Sequence, residues 1–395
     1  MITGSTVAVT AQAVISSLGT MMAAVALGYA GVAWAAVRLC RNSDGEPTAG
    51  DGGPSHPIQR PVTVLKPLCG AEPGLDRSLR SFCEQNYAGA VQIVFGVQHP
   101  ADPALAILEA LRRDYPQLDL AVLVDSTRHG ASAKVSNLIN MMRAARHDWL
   151  VLADSDVRVP PGYLAAVTAP LADPEVGIVT CPYRGIPRSG VWSLLGALFV
   201  DEWFIPSVRV AALFGSRAFA FGATIALRRD VLDAIGGFAA IADQLADDYR
   251  LGELTRARGL RTVLSRVVVE TSVDEPTLRQ LVQHGLRWLR TIRVVRPWGY
   301  AFAGITFSVP VAALGCALAG ASPVTLSFLA ATLVLRLMLH FEVQTKTSRA
   351  PLWAIALGDV LGFALWCGGF ATRKVHWRQA RYRVARDGSV QPISS

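Results

Sequence analysis

Residues 7–37 contain no charged side chain, and an uncharged run of that length leaves a polypeptide few options. About 20 apolar residues suffice to cross a hydrocarbon core as a helix. A helix is the one single-segment structure that satisfies every backbone polar group from within. The first span is placed near residues 13–37. A secretory signal peptide competes, because Ala33-Trp34-Ala35 resembles a cleavage site, but no Lys or Arg precedes the run and its apolar part is too long. Arg38 and Arg41 follow directly, so the positive-inside rule puts what comes next in the cytoplasm. Residues 42–60, rich in Gly, Pro, Ser and Asp, read as a flexible linker.

The rest of the composition agrees with a membrane component. The 395 residues allow two average domains or one large domain with appendages. Hydrophobic residues make up 51% and charged residues 17%, with a mean hydropathy of +0.34. A net charge of +8 could point to nucleic acid, but no zinc-finger spacing or interleaved basic and aromatic stripe accompanies it. Nucleic acid is therefore not an expected partner, and the charge reads as attraction to anionic lipid and phosphate. Cys40, Cys69, Cys83, Cys181, Cys316 and Cys367 contain no Cys-x-x-Cys pair, which suits reduced thiols rather than a disulfide or zinc framework.

From Pro61 onward strands alternate with helices: strand 62–65, helix 75–84, strand 91–97, helix 103–113, strand 118–124, helix 133–146. That order predicts a doubly wound, mostly parallel α/β sheet. The next apolar run, 149–153, breaks into Asp154-Ser155-Asp156 and is stopped by Pro160-Pro161. It reads as a buried strand delivering carboxylates to its carboxyl end, where open α/β sheets bind ligands. Asp154 and Asp156 can supply oxygens to a divalent cation that keeps positions open for substrate phosphates. The ligand implied is a nucleotide diphosphate. Alone, Asp-x-Asp also fits a solvated turn, so its neighbours decide.

Lys66-Pro67 and Asp102-Pro103 follow the first two strands and face the same crevice. Lys134, with Asn137 three residues on, opens a helix after Gly130-Ala131-Ser132; the dipole disfavours a lysine there, and a bound anion would supply a reason for it. Residues 192–214 mix aromatic and aliphatic side chains with Asp201, Glu202 and Arg209. They read as helices lying against the membrane or lining an acceptor groove, with core packing as the plainer alternative. Residues 219–227 are expected to form a strand whose Gly222 marks close approach by a ligand. Asp247 and Asp248 open a helix running to Arg258, where acids at an N-terminus are also explained by the dipole. On the helix at 278–291, His284 and Arg287 share a face, and an Arg beside Trp288 can grip a diphosphate while the ring covers a sugar or acyl chain.

Residues 299–319 and 324–339 read as two spans joined by a tight turn at 321–323. Arg336 and His340 fall at the inner end of the second, where snorkelling would explain them. Residues 351–371 form a third apolar stretch with Asp359 mid-way. The basic tail after Arg373 should stay inside, so this third segment is expected to be re-entrant or interfacial, interrupted near Asp359.

Taken in order, Val64-Leu65-Lys66-Pro67-Leu68, Asp102-Pro103-Ala104, Lys134-Val135-Ser136-Asn137-Leu138, Asp154-Ser155, Asp247-Asp248-Tyr249 and Arg287-Trp288 resemble the ceramide glucosyltransferase family. That family is a branch of the family-2-like inverting glycosyltransferases with a GT-A fold. The stretch 201–210 looks more like the bacterial hopanoid-associated glycosyltransferases than the animal enzymes. The resemblance implies that Lys66 and Asp102 help hold a uridine nucleotide, Lys134 approaches the diphosphate, and Asp154 with Asp156 handles Mg²⁺ or Mn²⁺. It implies that Asp248 is the catalytic base, beside an Asp247 that replaces a more common Glu. Arg287 and Trp288 belong to a (Gln/Arg)-x-x-Arg-Trp motif in which His284 stands where Gln or Arg is usual.

The expected organisation is an anchor at 1–41, a linker at 42–60, a cytoplasmic GT-A domain at 61–297, membrane segments at 298–372 and a basic cytoplasmic tail at 373–395. The expected activity is transfer of glucose or N-acetylglucosamine from a UDP-sugar to the hydroxyl of a hopanoid or ceramide at the inner leaflet of a bacterial cytoplasmic membrane. A processive polysaccharide synthase shares the core and the Arg-Trp motif but typically carries more spans. A non-catalytic nucleotide-sugar-binding membrane protein would have no reason to keep Asp102, Asp154 and Asp248 together.

Overall fold

Strand β1, Val62–Pro67, is buried on both faces, and it lies inside the sheet that the apolar runs build. The structure, a computed structural model, describes residues 4–43, 59–344, 350–371, 374–377, 380–384 and 389–392. The linker expected at 42–60 lies almost wholly outside the described residues. The chain divides into two units.

One unit comprises residues 44–188, 215–274 and 374–395. In it β1 is followed by β2 (Val91–Val97), β3 (Asp119–Val124), β4 (Trp149–Leu152), β5 (Val157–Arg158), β6 (Val176–Thr180), β7 (Tyr183–Pro187), β8 (Ile225–Arg228), β9 (Arg261–Leu264) and β10 (Val269–Val273). Seven of these form one sheet in the order β3-β2-β1-β4-β8-β6-β9. β8 runs antiparallel to both its neighbours and the other pairings are parallel, so the sheet is mixed. Alternate residues of each strand enter opposite layers. Val62, Val64, Ile93, Phe95 and Val151 pack with Leu79, Phe82 and Leu108 on one side. Leu65, Val94, Leu150 and Leu152 pack with Val135, Leu138 and Leu251 on the other. Burial on both faces is why these strands read as continuous apolar runs.

A smaller sheet, β5-β10-β7, lies in the same unit; β10 pairs antiparallel with β5, setting Thr271 opposite Val157. The expected tail contains a third, three-stranded sheet, formed by Lys374–Trp377, Ala380–Val384 and Val390–Pro392.

The other unit, residues 1–43, 189–214 and 275–373, is helical. Among the described residues, four helices are long and apolar enough to cross a membrane: Thr10–Cys40, Gly190–Leu213, Pro323–Val343 and Leu352–Gly369. Four sequence expectations change here. Residues 190–213 form one helical run rather than separate surface helices, held together by a π turn at Val200–Phe204. Pro206 accounts for the turn: it has no N–H to give the carbonyl four residues back, at Glu202, and its ring crowds that carbonyl. The expected span at 299–319 is instead a pair, Pro297–Thr306 and Ser308–Leu318, bent by 76°. The expected interruption at Asp359 is absent, since Leu352–Gly369 is unbroken. Asp359 has no need of an irregular backbone because Arg336 grips it with two nitrogens, Nε at 2.9 Å and Nη2 at 2.8 Å. Arg336 is accordingly buried, and so is His340; neither snorkels.

Small residues let the helices of this unit approach closely. A Cβ placed on Gly19 would lie 2.5 Å from the carbonyl oxygen of Gly315, and one on Gly315 would lie 2.5 Å from the carbonyl oxygen of Gly19. Ala23, Ala26, Ala30 and Ala33 continue the same buried stripe, the pattern by which membrane helices pack without a hydrophobic driving force.

Candidate active site

At the carboxyl end of β4 the chain leaves the sheet as Asp154-Ser155-Asp156. Asp154 Oδ1 meets Lys134 Nζ at 2.6 Å, and the same ammonium lies 3.5 Å from Asp247 Oδ2. Lys134 stands in the first turn of the helix Ala133–Met141, which Ser132 caps by accepting the N–H of Val135 at 3.3 Å. Its unfavourable place on the dipole is offset by carboxylates of this chain, which raise its pKa against the opposing pull of burial, chiefly through Asp154 and then Asp247. A bound anion is not required to explain it.

Asp248 opens the helix Asp247–Ala257. Its Oδ2 accepts the N–H of Gly222 at 2.8 Å and its Oδ1 accepts the N–H of Tyr249 at 2.7 Å. Burial, and next the adjacent Asp247, push its pKa up to about 6, with Lys134 and the two backbone donors pulling the other way. Gly222 is where these groups converge. The position a Cβ would take there lies 3.3 Å from Asp248 Oδ2, 3.4 Å from Asp154 Oδ2 and 3.4 Å from Lys134 Nζ. Glycine leaves that shared space open.

Lys66 and Asp156 lie beneath the same loop. The Lys66 side chain is wholly buried at the end of β1. Its ammonium donates to the carbonyl of Asp154 and sits 4.1 Å from the centre of the Phe82 ring. Burial lowers its pKa to about 7, against the attraction of Asp156, Asp154 and Glu72. Asp156 accepts from the Thr271 hydroxyl, and its pKa is raised by burial and by Asp154. The two residues therefore fasten the acidic loop from below. Thr271 and Glu72, whose carboxylate accepts from Ser155 Oγ at 3.1 Å, were not anticipated, and neither position carries a sequence signal.

Asp102 ties two loops together, its carboxylate accepting the N–H of Gly70 at 3.0 Å and of Ala104 at 2.9 Å. Asn137 donates to the carbonyl of Gly96 at 2.8 Å, a support for β2. His284, Arg287 and Trp288 belong to the other unit, on the helix Leu278–Val295. There His284 Nδ1 meets Glu275 Oε1 at 2.5 Å, and the Trp288 ring lies edge-on to His284 and within 6.3 Å of Phe199.

Around Gly222, then, three carboxylates face one ammonium, an excess of negative charge built from hard oxygen donors. Among the described residues no three His, Cys, Asp or Glu side chains are gathered tightly enough to hold an ion unaided. The donor set fits a cation that takes one or two carboxylates and completes its coordination with substrate oxygens. Asp154 turns its Oδ2 to the space beside Gly222 while its Oδ1 pairs with Lys134, and Asp156 accepts from Thr271.

The family model described as Glycosyl transferase family 21 matches residues 18–390. Ceramide glucosyltransferase 1 of Caenorhabditis elegans is 25% identical over 231 residues, covering 58% of this chain and 49% of its own. Ceramide glucosyltransferase of Komagataella phaffii is 32% identical over 116 residues, covering 28% and 23%. The chain thus spans about half the length of the first of these relatives. Among solved structures, a mannosyltransferase from Pyrobaculum calidifontis in complex with GDP-Man and Mn²⁺ superposes with a TM-score of 0.49, at 22% identity over 87% of this chain and 98% of its own.

Proposed function

The chain belongs to glycosyl transferase family 21, and from that premise we propose that it transfers a hexose, glucose or N-acetylglucosamine, from a UDP-sugar to the hydroxyl of a membrane lipid of the ceramide or hopanoid type. The observation that carries the reading is the meeting of Asp154, Lys134, Asp247 and Asp248 about Gly222. Asp248 is the general base. It is raised toward neutrality by burial and by Asp247, and a base is most effective when its pKa lies near the working pH. Its carboxylate takes the proton of the acceptor hydroxyl as that oxygen bonds to the anomeric carbon. The bond from carbon to the diphosphate breaks on the opposite face, so configuration inverts and UDP leaves.

The backbone N–H groups of Gly222 and Tyr249 orient the Asp248 carboxylate, and Lys134 holds Asp154 toward the same space. A divalent cation, Mg²⁺ or Mn²⁺, held by Asp154, would supply charge neutralisation for the departing diphosphate. Lys66 and Asp156 support the loop. Asp102 contributes to nucleotide binding through the loops it ties, and Arg287 with Trp288 and His284 serves the diphosphate or the acceptor.

Orientation follows from charge. Arg38 pairs with Glu342 at 3.0 Å, so the ends of the helices Gly4–Ser43 and Pro323–Val343 meet on one side. The positive-inside rule assigns that side to the cytoplasm, where nucleotide sugars are found. The test is to incubate membranes containing the full chain with labelled UDP-glucose or UDP-N-acetylglucosamine and a lipid panel. Label should enter a lipid with a free hydroxyl, and UDP should be released in equal amount. Labelled polymer would favour a synthase, and UDP-sugar binding without release of UDP would leave a binding protein.

A further inference from the structure

The transfer chemistry makes no use of a group of ionisable side chains lying among the apolar helices. Glu202 stands at the centre of the π turn Val200–Phe204, Arg336 and His340 are on Pro323–Val343, and Asp359 is on Leu352–Gly369. Arg336 bonds Asp359 through Nε and Nη2, and Nη2 also lies 2.6 Å from Glu202 Oε2. His340 Nδ1 donates to Glu202 Oε1 at 2.5 Å, and its Nε2 accepts from Gln344. Arg336 lies about 10 Å along the axis from Val343, and Asp359 a similar distance from Leu352, at 1.5 Å per residue. Ionisable groups inside membrane segments are costly, and mark function by default. π turns, too, frequently accompany functional sites.

Two polar atoms of the group are left over. Arg336 Nη1 is buried without a hydrogen-bond partner among the described residues, and Glu202 Oε2 meets Arg336 without the alignment of a hydrogen bond. Both side chains line a cavity of about 40 Å³. Its apolar wall includes Trp203, stacked at 4.5 Å on Phe199 and at 5.6 Å on Phe307, and its floor includes Gly358. A buried donor left unmade costs about 1–3 kcal/mol, so an occupant that satisfies it gains that much.

The occupant's chemistry can be read from these atoms. An unused N–H beside an under-used carboxylate oxygen asks for a group that accepts one hydrogen bond and donates another. Two carboxylates against one guanidinium disfavour an anion, and the free guanidinium N–H disfavours a cation. The volume exceeds what a single water needs, which leaves room for a small polar group such as the carbinol end of a molecule. Aromatic walls suit a hydrocarbon body. We propose that this cavity binds the hydroxyl group of a neutral membrane lipid, accepting its O–H at Glu202 Oε2 and donating to it from Arg336 Nη1. The inference stands apart from the transfer reaction, which the same samples report separately.

The experiment uses the full chain in lipid nanodiscs with a photoactivatable long-chain alcohol and, in parallel, its O-methyl ether, which can accept a hydrogen bond but not donate one. Crosslinked peptides are mapped by mass spectrometry. The alcohol should label the segments that carry Trp203, Arg336 and Gly358, and the ether should label them at least 10-fold less. Glu202→Gln should narrow the gap between the two probes. Gly358→Leu should abolish labelling by filling the space, since a Cβ at Gly358 meets only Leu195, at 3.9 Å, so the protein should still fold. Equal labelling by alcohol and ether would overturn the proposal, as would labelling unchanged in Gly358→Leu; the cavity would then hold water only. Loss of sugar transfer with labelling intact would instead count against the catalytic reading and leave this one standing.

Discussion

Asp248 accepts the amide N–H of Gly222 at 2.8 Å, so the strand–loop segment around Gly222 both aims the carboxylate and, by lacking a side chain, leaves room in front of it. Base and space are coupled through one peptide unit.

Replacing Asp248 with Asn keeps the shape and removes the proton acceptor. Asp248→Asn should lower kcat by about 10²–10⁴-fold, the usual worth of general-base help, while UDP affinity changes by no more than a few-fold. Titration calorimetry alongside a UDP-release assay separates the two; near-normal turnover would reassign the base.

The raised pKa of Asp248 sets a pH limb. Transfer should fall as the pH drops below about 6, where the carboxylate takes up a proton. Asp247→Asn removes the second-largest cause of the shift and should move that limb to lower pH. The stability sign is opposite to that of a salt-bridged acid. The folded pKa exceeds the unfolded one, so the folded state binds more protons between the two values, and stability from this group declines as pH rises through them to about 6. Asp248→Asn should therefore melt no lower than the parent at pH 7.5 while being inactive, a comparison that calorimetry can make directly.

Gly222→Ala puts a methyl group 3.3–3.4 Å from Asp248, Asp154 and Lys134. These are contacts the neighbours can relieve only by shifting a few tenths of an ångström. Catalysis tolerates such displacements poorly, so kcat/KM should fall on the order of 10²-fold while the melting temperature moves by only a few degrees. Full activity in the alanine variant would mean that the space beside Gly222 is not where the reaction occurs.

Chelation with EDTA should stop transfer, and Mn²⁺ or Mg²⁺ should restore it. Asp154→Asn should raise the cation concentration needed for half-maximal rate by at least 10-fold, whereas Asp156→Asn should act mainly on stability, because its carboxylate is bound to Thr271. Equal shifts in the cation requirement of both variants would show that the two acids share the ion.

The sheet was legible because its strands are buried on both faces: Val62–Pro67 and Val91–Val97 announce themselves as apolar runs, and Asp154 at the end of such a run points to its carboxyl edge. Lys134 was legible as an oddity of the helix dipole, although its counter-charges come from Asp154 and Asp247 rather than from a ligand. Lys66 is legible as a lysine at the carboxyl end of the first strand, but nothing in the sequence says that its ammonium is buried against the carbonyl of Asp154. The partners Glu202, Arg336 and Asp359 are contributed by three helices, so no local pattern joins them: Arg336 reads alone as a charge at a span's inner end, Asp359 as the middle of an interrupted segment and Glu202 as part of a helix lying against the membrane. The bend near Phe307 carries no charge to mark it, whereas Asp359 sits in a helix that is unbroken.

The mutual contact of Gly19 and Gly315 makes the first helix more than a tether. Trimming the chain at about residue 44 to obtain a water-soluble enzyme would expose a strip of bare backbone and alanine on Ser308–Leu318 and Pro323–Val343. The segment that looks most dispensable on paper is one wall of the membrane body.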